Sequence, residues 1–524
     1  MSARAGAVLL GVDIGTSACK VAAFTPDGVE LASASVAYPV LHPSPGHAEQ
    51  EPERWLAAAF AGIREVLAGG RVSAAQVAAI GVDGQSWSCI PVDGDGEVLA
   101  RTPIWMDTRA AEICARVEAS VGAAAILALS GNPFKPSYTT PKIVWFRENR
   151  PDVYARTRYF LQSNSYVVHG LTGVFSQDQS QCYGLHVVDI ATGRYDEAMG
   201  AELGIDLDKL PGIVACHEVV GHVTAHAAAR TGLLAGTPVV AGGLDAACGA
   251  LGAGVHRPGQ TQEQGGQAGG MSIVVDRPVI DERLILSRHV VPDRFLLQGG
   301  TAAGGASPRW IVGQVGQVEQ TAADADGTSV FEKVSELAAT VPVGSDGVVF
   351  LPYLAGERSP VWDATATGVL VGLTLSTTRA HLYRAVMEGV AFSLHHNLQV
   401  AESLGVPVGD MSATGGAATS HVWTQIKADV TGKTIHVPAA ENATTLGAAM
   451  LAGLGAGVYT DAADAVAQTT HVHRTHRPVL AHHARYDAQF GIYREVYDQL
   501  RATMATAASL PRPIDSHDET GEHR

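Results

Sequence analysis

The sequence predicts an α/β protein of two similar domains that close on one ligand, and three observations predict it. Residues 8–25 are an apolar run, the turn Asp13-Ile14-Gly15-Thr16-Ser17 and a second apolar run, the pattern of a β-hairpin with a glycine and hydroxyl tip. A tip of the same kind, Gln264-Gly265-Gly266-Gln267-Ala268-Gly269-Gly270, leads into the apolar run 271–275, shortly after the pattern restarts around residues 256–259. Strand and helix signals alternate between and beyond these tips, which places helices on the faces of a mixed sheet. At 524 residues the chain exceeds what a single core serves, so two or three domains are expected.

Composition narrows the class of function. A 46% hydrophobic content lets both halves bury cores, and 58 glycines with only 6% aromatics suit an Ala/Val/Gly-built α/β enzyme rather than a sandwich. The formal charge of −16 without a basic block disfavours nucleic acid and anionic membrane as partners, so an anionic substrate must be held by local donors and metal. The six cysteines are scattered without a C-x-x-C pair, as expected of reduced thiols in a cytoplasmic protein. Residues 1–7 run straight into a strand without a separate apolar segment, and no stretch approaches about 20 uninterrupted apolar residues, so neither a signal peptide nor a membrane span is expected.

In chain order, the first tip gathers backbone N–H groups, two hydroxyls and the Asp13 carboxylate, with Lys20 behind them. This is either a phosphate cradle with a metal-organising acid or an ordinary tight turn. Strands are expected at 30–40, 75–83 and 88–92, and Pro52 opens a helix with Trp55, Phe60, Ile63, Val66 and Leu67 on one face. The loop Trp105-Met106-Asp107-Thr108-Arg109 enters a helix capped by Thr108 or Asp107, and Pro141 sits in the first turn of the next helix. Residues 237–250 read as a buried strand followed by a helix of very small residues. Asp245 stands at the strand's carboxyl end and the helix N-terminus, where ligand sites of α/β folds concentrate. Later, Gly415-Gly416 leads into a helix carrying Val422, Ile426, Ala428 and Val430, and Tyr486, Phe490, Tyr493 and Tyr497 mark a final amphipathic helix with fraying after about residue 505. Trp145 and Trp310 are expected in the core, and the scattered histidines at 217–226 and 471–483 are expected to be solvated, without the partners of a metal site. Gly356-Glu357-Arg358 is a surface ion pair or a loop near the cleft.

Taken together and in order, nine stretches resemble the FGGY family of carbohydrate kinases, and within it the xylulokinase-like members, from about residue 7 to about residue 500. They are Asp13-Ile14-Gly15-Thr16, Pro45-Gly46-His47-Ala48-Glu49-Gln50 with Trp55, Trp105-Met106-Asp107-Thr108-Arg109, Pro141-Lys142-Ile143-Val144-Trp145, Gly242-Gly243-Leu244-Asp245, Gly304-Gly305-Ala306-Ser307, Tyr353-Leu354-Ala355-Gly356-Glu357-Arg358-Ser359-Pro360, Gly368-Val369-Leu370-Val371-Gly372-Leu373 and Gly415-Gly416-Ala417.

The resemblance implies two ribonuclease H-like domains of the actin-like ATPase class with ATP and sugar in the cleft between them. Residues 1–255 would form the sugar and phosphate side, 256–505 the nucleotide side and 506–524 a flexible tail. It further implies Asp245 as the general base, and Asp13 with Asp245 as the acids that hold Mg²⁺. Thr16, Ser17 and Lys20 would meet the terminal phosphates, Gly269 and Gly270 would form a second phosphate turn, Gly305 and Arg309 would line the nucleotide, and Gly415, Gly416 and Ser420 the adenosine end. Sugar contacts would come from Gln85, Ser86, Trp87, Asp107, Arg109 and Asp245. The expected reaction is phosphorylation of D-xylulose to D-xylulose 5-phosphate by Mg-ATP in a cytoplasmic enzyme, with a homodimer as the family-level expectation.

Two departures keep alternatives open. Gln85-Ser86-Trp87-Ser88 stands where these relatives carry Gln-Met-His-Gly, which admits gluconate or another polyol as acceptor. Ala268-Gly269-Gly270 lacks the hydroxyl usual in the second turn, which admits a catalytically silent nucleotide-binding member.

Overall fold

The computed structural model describes residues 6–510. The first sheet begins with the antiparallel meander β1 (Val8–Ile14), β2 (Ala18–Phe24) and β3 (Glu30–Ala37). Helix α1 (Pro52–Ala68) buries Trp55, Phe60, Ile63 and Val66 against it, in one core with Leu10, Val12 and Val21. β4 (Val77–Gly84) lies parallel to β1. After α2 (Thr139–Asn149) come β5 (Val219–His222), β6 (Pro238–Val240), β7 (Gly243–Leu244) and α3 (Asp245–Gly252). The sheet order is β5-β6-β4-β1-β2-β3, with β7 also on β4.

The second sheet holds β8 (Thr261–Gly265), β9 (Gly269–Val275), β10 (Ile285–Arg288) and β11 (Phe295–Gly299). α4 (Ala306–Val315) and α5 (Arg379–Ser403) follow, then β12 (Met411–Thr414), α6 (His421–Thr431), β13 (Ile435–Pro438), α7 (Ala443–Gly455), β14 (Val472–His476) and α8 (Leu480–Ala508). Its order is β10-β11-β9-β8-β12-β13-β14.

Comparing the two sheets exposes a duplication. Reading β3-β2-β1-β4-β6-β5 and then β11-β9-β8-β12-β13-β14, the neighbours are antiparallel, antiparallel, parallel, parallel and antiparallel in both. The two glycine tips therefore occupy corresponding hairpins, and α3 and α7 follow corresponding parallel strands.

These two helices pair across the domains rather than staying at home. A Cβ on Gly447 of α7 would lie 1.9 Å from the Cys248 carbonyl oxygen of α3, and one on Gly252 the same distance from that of Ala443. α7 also crosses the first sheet, where a Cβ on Gly11 or Gly81 would come 1.9 and 2.0 Å from the carbonyls of Thr445 and Ala448. The small-residue helix read from the sequence is small because backbone packs on backbone there. A line drawn at residue 255 separates the two sheets, yet residues 443–455 of the later half pack on the earlier one.

Several boundaries differ from expectation for local reasons. Pro39 follows β3 soon after its end at Ala37, and a 3₁₀ turn at Ala74–Gln76, capped by Ser73, delays β4 to Val77. The third expected strand shortens to Ile90–Val92. The helix after Arg109 starts at Ala111 with Ala110 at its cap, because the Asp107 carboxylate is engaged elsewhere. α8 stays helical to Ala508, and residues 511–524 of the expected tail lie outside the described residues. Residues 111–130 form the one described helical stretch long and apolar enough to cross a membrane by length and composition. It is interrupted by a π turn at Glu118–Gly122, and its Ile113, Val117 and Ile126 join the core beside Val144 and Phe146.

A buried histidine fastens the link between domains. His289 Nδ1 accepts the Val290 N–H at 2.8 Å and Nε2 meets the Val255 carbonyl at 3.1 Å, so the ring is neutral with its proton on Nε2. Burial pushes the pKa of His289, and that of His186, from 6.5 down to about 4. The unfolded chain binds these protons first as pH falls. Stability fully present above pH 6.5 is therefore lost as pH drops toward 4, by on the order of 3 kcal/mol for each such histidine. His289→Gln is expected to flatten the fall in unfolding free energy between pH 7 and pH 4.5. Denaturant titrations giving the variant the wild-type slope would contradict this.

Candidate active site

Three carboxylates meet at the carboxyl ends of neighbouring strands. Asp13 on β1 pairs in register with Asp83 on β4, and Asp83 pairs with Gly243, two residues before Asp245 opens α3. Asp245 Oδ1 accepts the Ala246 N–H at 2.6 Å. The depth of the cleft first, and the Asp13 charge second, raise the Asp245 pKa to about 7. Burial also raises Asp13, with the Lys20 charge opposing it. Asp83 is wholly buried, and neither of its oxygens receives a hydrogen bond from a donor among the described residues. Burial, then the charges of Asp13 and Asp245, hold it well above the usual carboxylate range.

Asp245 lines a cavity of about 290 Å³ between the domains. On its first wall stand Thr16, Gln85, Ser86, Trp87, Trp105 and Tyr183. Gln85 is buried, donates to Gln50 Oε1 at 2.8 Å, and lies 3.4 Å from the Thr16 hydroxyl, which also accepts the Trp105 indole N–H at 3.0 Å. The Ser86 hydroxyl accepts from Tyr183. Trp87 packs 4.2 Å from Tyr138 and 5.3 Å from Tyr183, its indole N–H without a hydrogen-bond partner among the described residues. Its φ of 58° places a bulky residue in the left-handed region, at about 1–2 kcal/mol. Strain of that kind is held by its surroundings and concentrates at functional sites.

The opposite wall is the second tip, with Gln264, Gly266–Gly270, Gly300 and Arg358. Glu357 holds the adjacent loop, accepting from the Thr301 hydroxyl at 2.7 Å and the Ala302 N–H at 3.0 Å, and burial lifts its pKa to about 7. The Arg358 guanidinium, with Tyr138, Tyr183 and Glu357 as the titratable groups around it, makes no ion pair or side-chain hydrogen bond among the described residues and lies 5.8 Å from the Trp105 ring. A second cavity of about 350 Å³ lies beyond the tip, lined by Gly305, Arg309, Gly416 and Ser420, with Phe331 and Trp423 as apolar walls. Gly415 closes against the tip, where a Cβ would meet the Gly265 carbonyl at 2.7 Å. Gly266 and Gln267 face both cavities, so a ligand seated in the second reaches the first across this turn.

The structure thus brings Thr16, Gln85, Ser86, Trp87, Asp245, Gly269 and Gly270 to one cavity and Gly305, Arg309, Gly416 and Ser420 to the other. Ser17 and Lys20 are exposed and line neither; Lys20 acts on Asp13 through its charge. Asp107 and Arg109 also stay out of the cavity, contrary to expectation. The buried Asp107 carboxylate accepts from the Ala48 and Arg109 backbone and from the Arg109 guanidinium, which also pairs with Glu49 at 2.7 Å and covers Trp145. A carboxylate with that many donors has no free lone pair to offer a sugar. Trp145 is half-buried under Arg109, and Trp310, expected in the core, is 38% exposed and stacked beside Phe350.

Asp83, Tyr138 and Tyr183 were missed by the sequence reading. Asp83 carried the signal that singled out Asp245, an acid at the end of an apolar strand; Tyr183, in a short 3₁₀ turn at Gln181–Gly184, carried none.

Among the described residues no three His, Cys, Asp or Glu side chains are close enough to cage an ion directly. Asp13 and Asp245 nevertheless both oppose ionisation of the buried Asp83, whose oxygens receive no hydrogen bond from a donor among the described residues. That suits a hydrated divalent cation bound largely through water, the manner of Mg²⁺.

Duplicated sheets that trade helices across a phosphate-binding cleft are the architecture of the actin-like ATPases, and the acid facing a polyol-sized cavity makes this molecule a sugar kinase by class. Family models describe the same division: the N-terminal domain of the FGGY family of carbohydrate kinases matches residues 8–252 and its C-terminal domain residues 274–456, and the chain belongs to that family as an ATP-dependent sugar kinase. It is 30% identical to the xylulose kinase of Bacillus subtilis (strain 168) over 491 residues, 93% of this chain and 96% of that protein. It is 27% identical to the gluconokinase of the same organism over 511 residues, 97% of this chain and 99% of that protein. The crystal structure of xylulose kinase from Rhodospirillum rubrum superposes with a TM-score of 0.86 at 30% identity, over 95% of this chain and all of that one.

Proposed function

We propose that this kinase transfers the γ-phosphoryl group of ATP to the terminal hydroxyl of D-xylulose, giving D-xylulose 5-phosphate and ADP. The observation that carries the reading is Asp245, among the described residues the one acid in the wall of the first cavity, beside the turn that both cavities share. With a pKa of about 7 it both loses and gains a proton near neutrality, as a general base requires. The sugar hydroxyl gives its proton to Asp245 while its oxygen bonds to the γ-phosphorus and the bond from that phosphorus to the bridging oxygen of ADP breaks. Backbone N–H groups of the two tips hold the phosphates, and Trp87 with Tyr183 offers an aromatic face and a polar edge to the sugar. Mg²⁺, held by Asp13 and Asp245, would supply positive charge against the phosphates. Similarity to xylulose kinases over nearly the whole chain supports the choice of acceptor.

The unpartnered Arg358 favours a second reading. A guanidinium free in the sugar cavity suits a carboxylate-bearing acceptor such as gluconate. An ADP-release assay over D-xylulose, D-gluconate, other ketopentoses and pentitols tests both. The highest kcat/KM is expected with D-xylulose; a higher value with gluconate would replace the first reading by the second, and no ADP release with any acceptor would overturn both.

A further inference from the structure

We infer that Lys142 is the positioning residue that shapes the acceptor end of the cleft, its single ammonium group tying together the three loops that carry Trp87, Trp105 and Tyr138. The side chain rises from the first turn of α2 and is wholly buried. Its Nζ donates to the carbonyl oxygens of Trp87 at 2.9 Å, Ile104 at 2.7 Å and Ser137 at 2.6 Å. An ammonium has three N–H donors, so every one is used, and all three acceptors are backbone.

Each acceptor belongs to an aromatic residue of the cleft or to its chain neighbour. The first is the carbonyl of Trp87 itself, and the others immediately precede Trp105 and Tyr138. Trp87 and Trp105 line the acceptor cavity, and Tyr138 packs against Trp87 with its ring tilted 33°. Trp105 in turn reaches the Thr16 hydroxyl on the phosphate tip, so the clamp extends from the acceptor wall to the nucleotide side.

A buried charge is unfavourable unless it is fully hydrogen-bonded, and an apolar side chain would fill this space without that penalty. Burial pushes the Lys142 pKa down to about 7, while Cys89, Asp107 and Arg109 are the titratable groups around it. What the cation adds over an apolar side chain is three directed bonds. They hold the strained Trp87 backbone and set the spacing of the aromatic wall.

The inference rests on the reading of this cavity as the acceptor site, and two readouts keep them separable. Lys142→Met removes every donor and Lys142→Gln retains two. The near-ultraviolet circular dichroism of ligand-free protein, taken as the difference from wild type, reports a change in aromatic packing without any sugar. Lys142→Met is expected to change that spectrum and to raise the KM for D-xylulose by about tenfold or more, while the KM for ATP stays within about twofold. Lys142→Gln should fall between it and wild type. An unchanged spectrum with an unchanged D-xylulose KM would overturn the inference, as would equal rises in both KM values. If neither variant folds, Lys142 serves the stability of the whole domain and the inference fails. If wild type leaves D-xylulose unphosphorylated, the acceptor reading falls and the spectrum alone decides the role of Lys142.

Discussion

Asp245→Asn is expected to lower the rate of phosphoryl transfer by about 10²- to 10⁴-fold while leaving nucleotide affinity measured without Mg²⁺ unchanged. Asparagine keeps the size of the side chain and an oxygen to accept the Ala246 N–H, so the start of α3 survives. What disappears is the ability to take a proton, together with a charge that opposes ionisation of Asp83. Removing that charge relieves Asp83, so the variant should be at least as stable as wild type. ADP release measured beside calorimetric ADP binding separates the two effects. A loss of less than about tenfold would remove Asp245 from the role of base, because positioning alone would then account for the rate.

Gly447→Ala is expected to destabilise the protein by about 3 kcal/mol or more, the upper range for overpacking. The added methyl would lie 1.9 Å from the Cys248 carbonyl oxygen and 2.5 Å from its carbon. Both are backbone atoms of α3, so no rotamer change relieves the overlap and the two helices must separate. Such a separation shifts α7 away from β1 and β4, which carry Asp13 and Asp83, and activity should fall together with stability. Gly313→Ala, within α4 and with nothing within 4 Å of its Cβ position, is the control and is expected to be neutral or stabilising by about 0.5–1 kcal/mol. Denaturant midpoints that do not differ between the two variants would show that the helix crossing tolerates expansion.

Both substitutions act where local pattern and long-range packing coincide, and the two kinds of information were not equally visible in the chain. Alternating apolar runs, glycine tips and an acid opening a small-residue helix are short-range features. They marked both hairpins, α1, α3, α6 and α8, and the positions of Asp13 and Asp245. Asp107 and Arg109 show where such reasoning stops: a loop acid beside an arginine reads as a ligand pair, whereas Ala48 and Glu49, some sixty residues earlier, engage both. Tyr183 and Arg358 enter the cavity from segments without periodicity, for which no neighbour in sequence announces the direction.

The amino-acid order alone determined that the chain is a duplicated α/β structure with two phosphate-type turns and an acid at a strand-to-helix junction, because turn chemistry and side-chain periodicity depend only on near neighbours. Tertiary structure alone decided that Asp83 joins Asp13 and Asp245, that Lys142 gathers three loops and that α3 and α7 cross between the domains. Those relations depend on which distant backbone carbonyl or carboxylate comes within a few ångströms, and no local pattern encodes that distance.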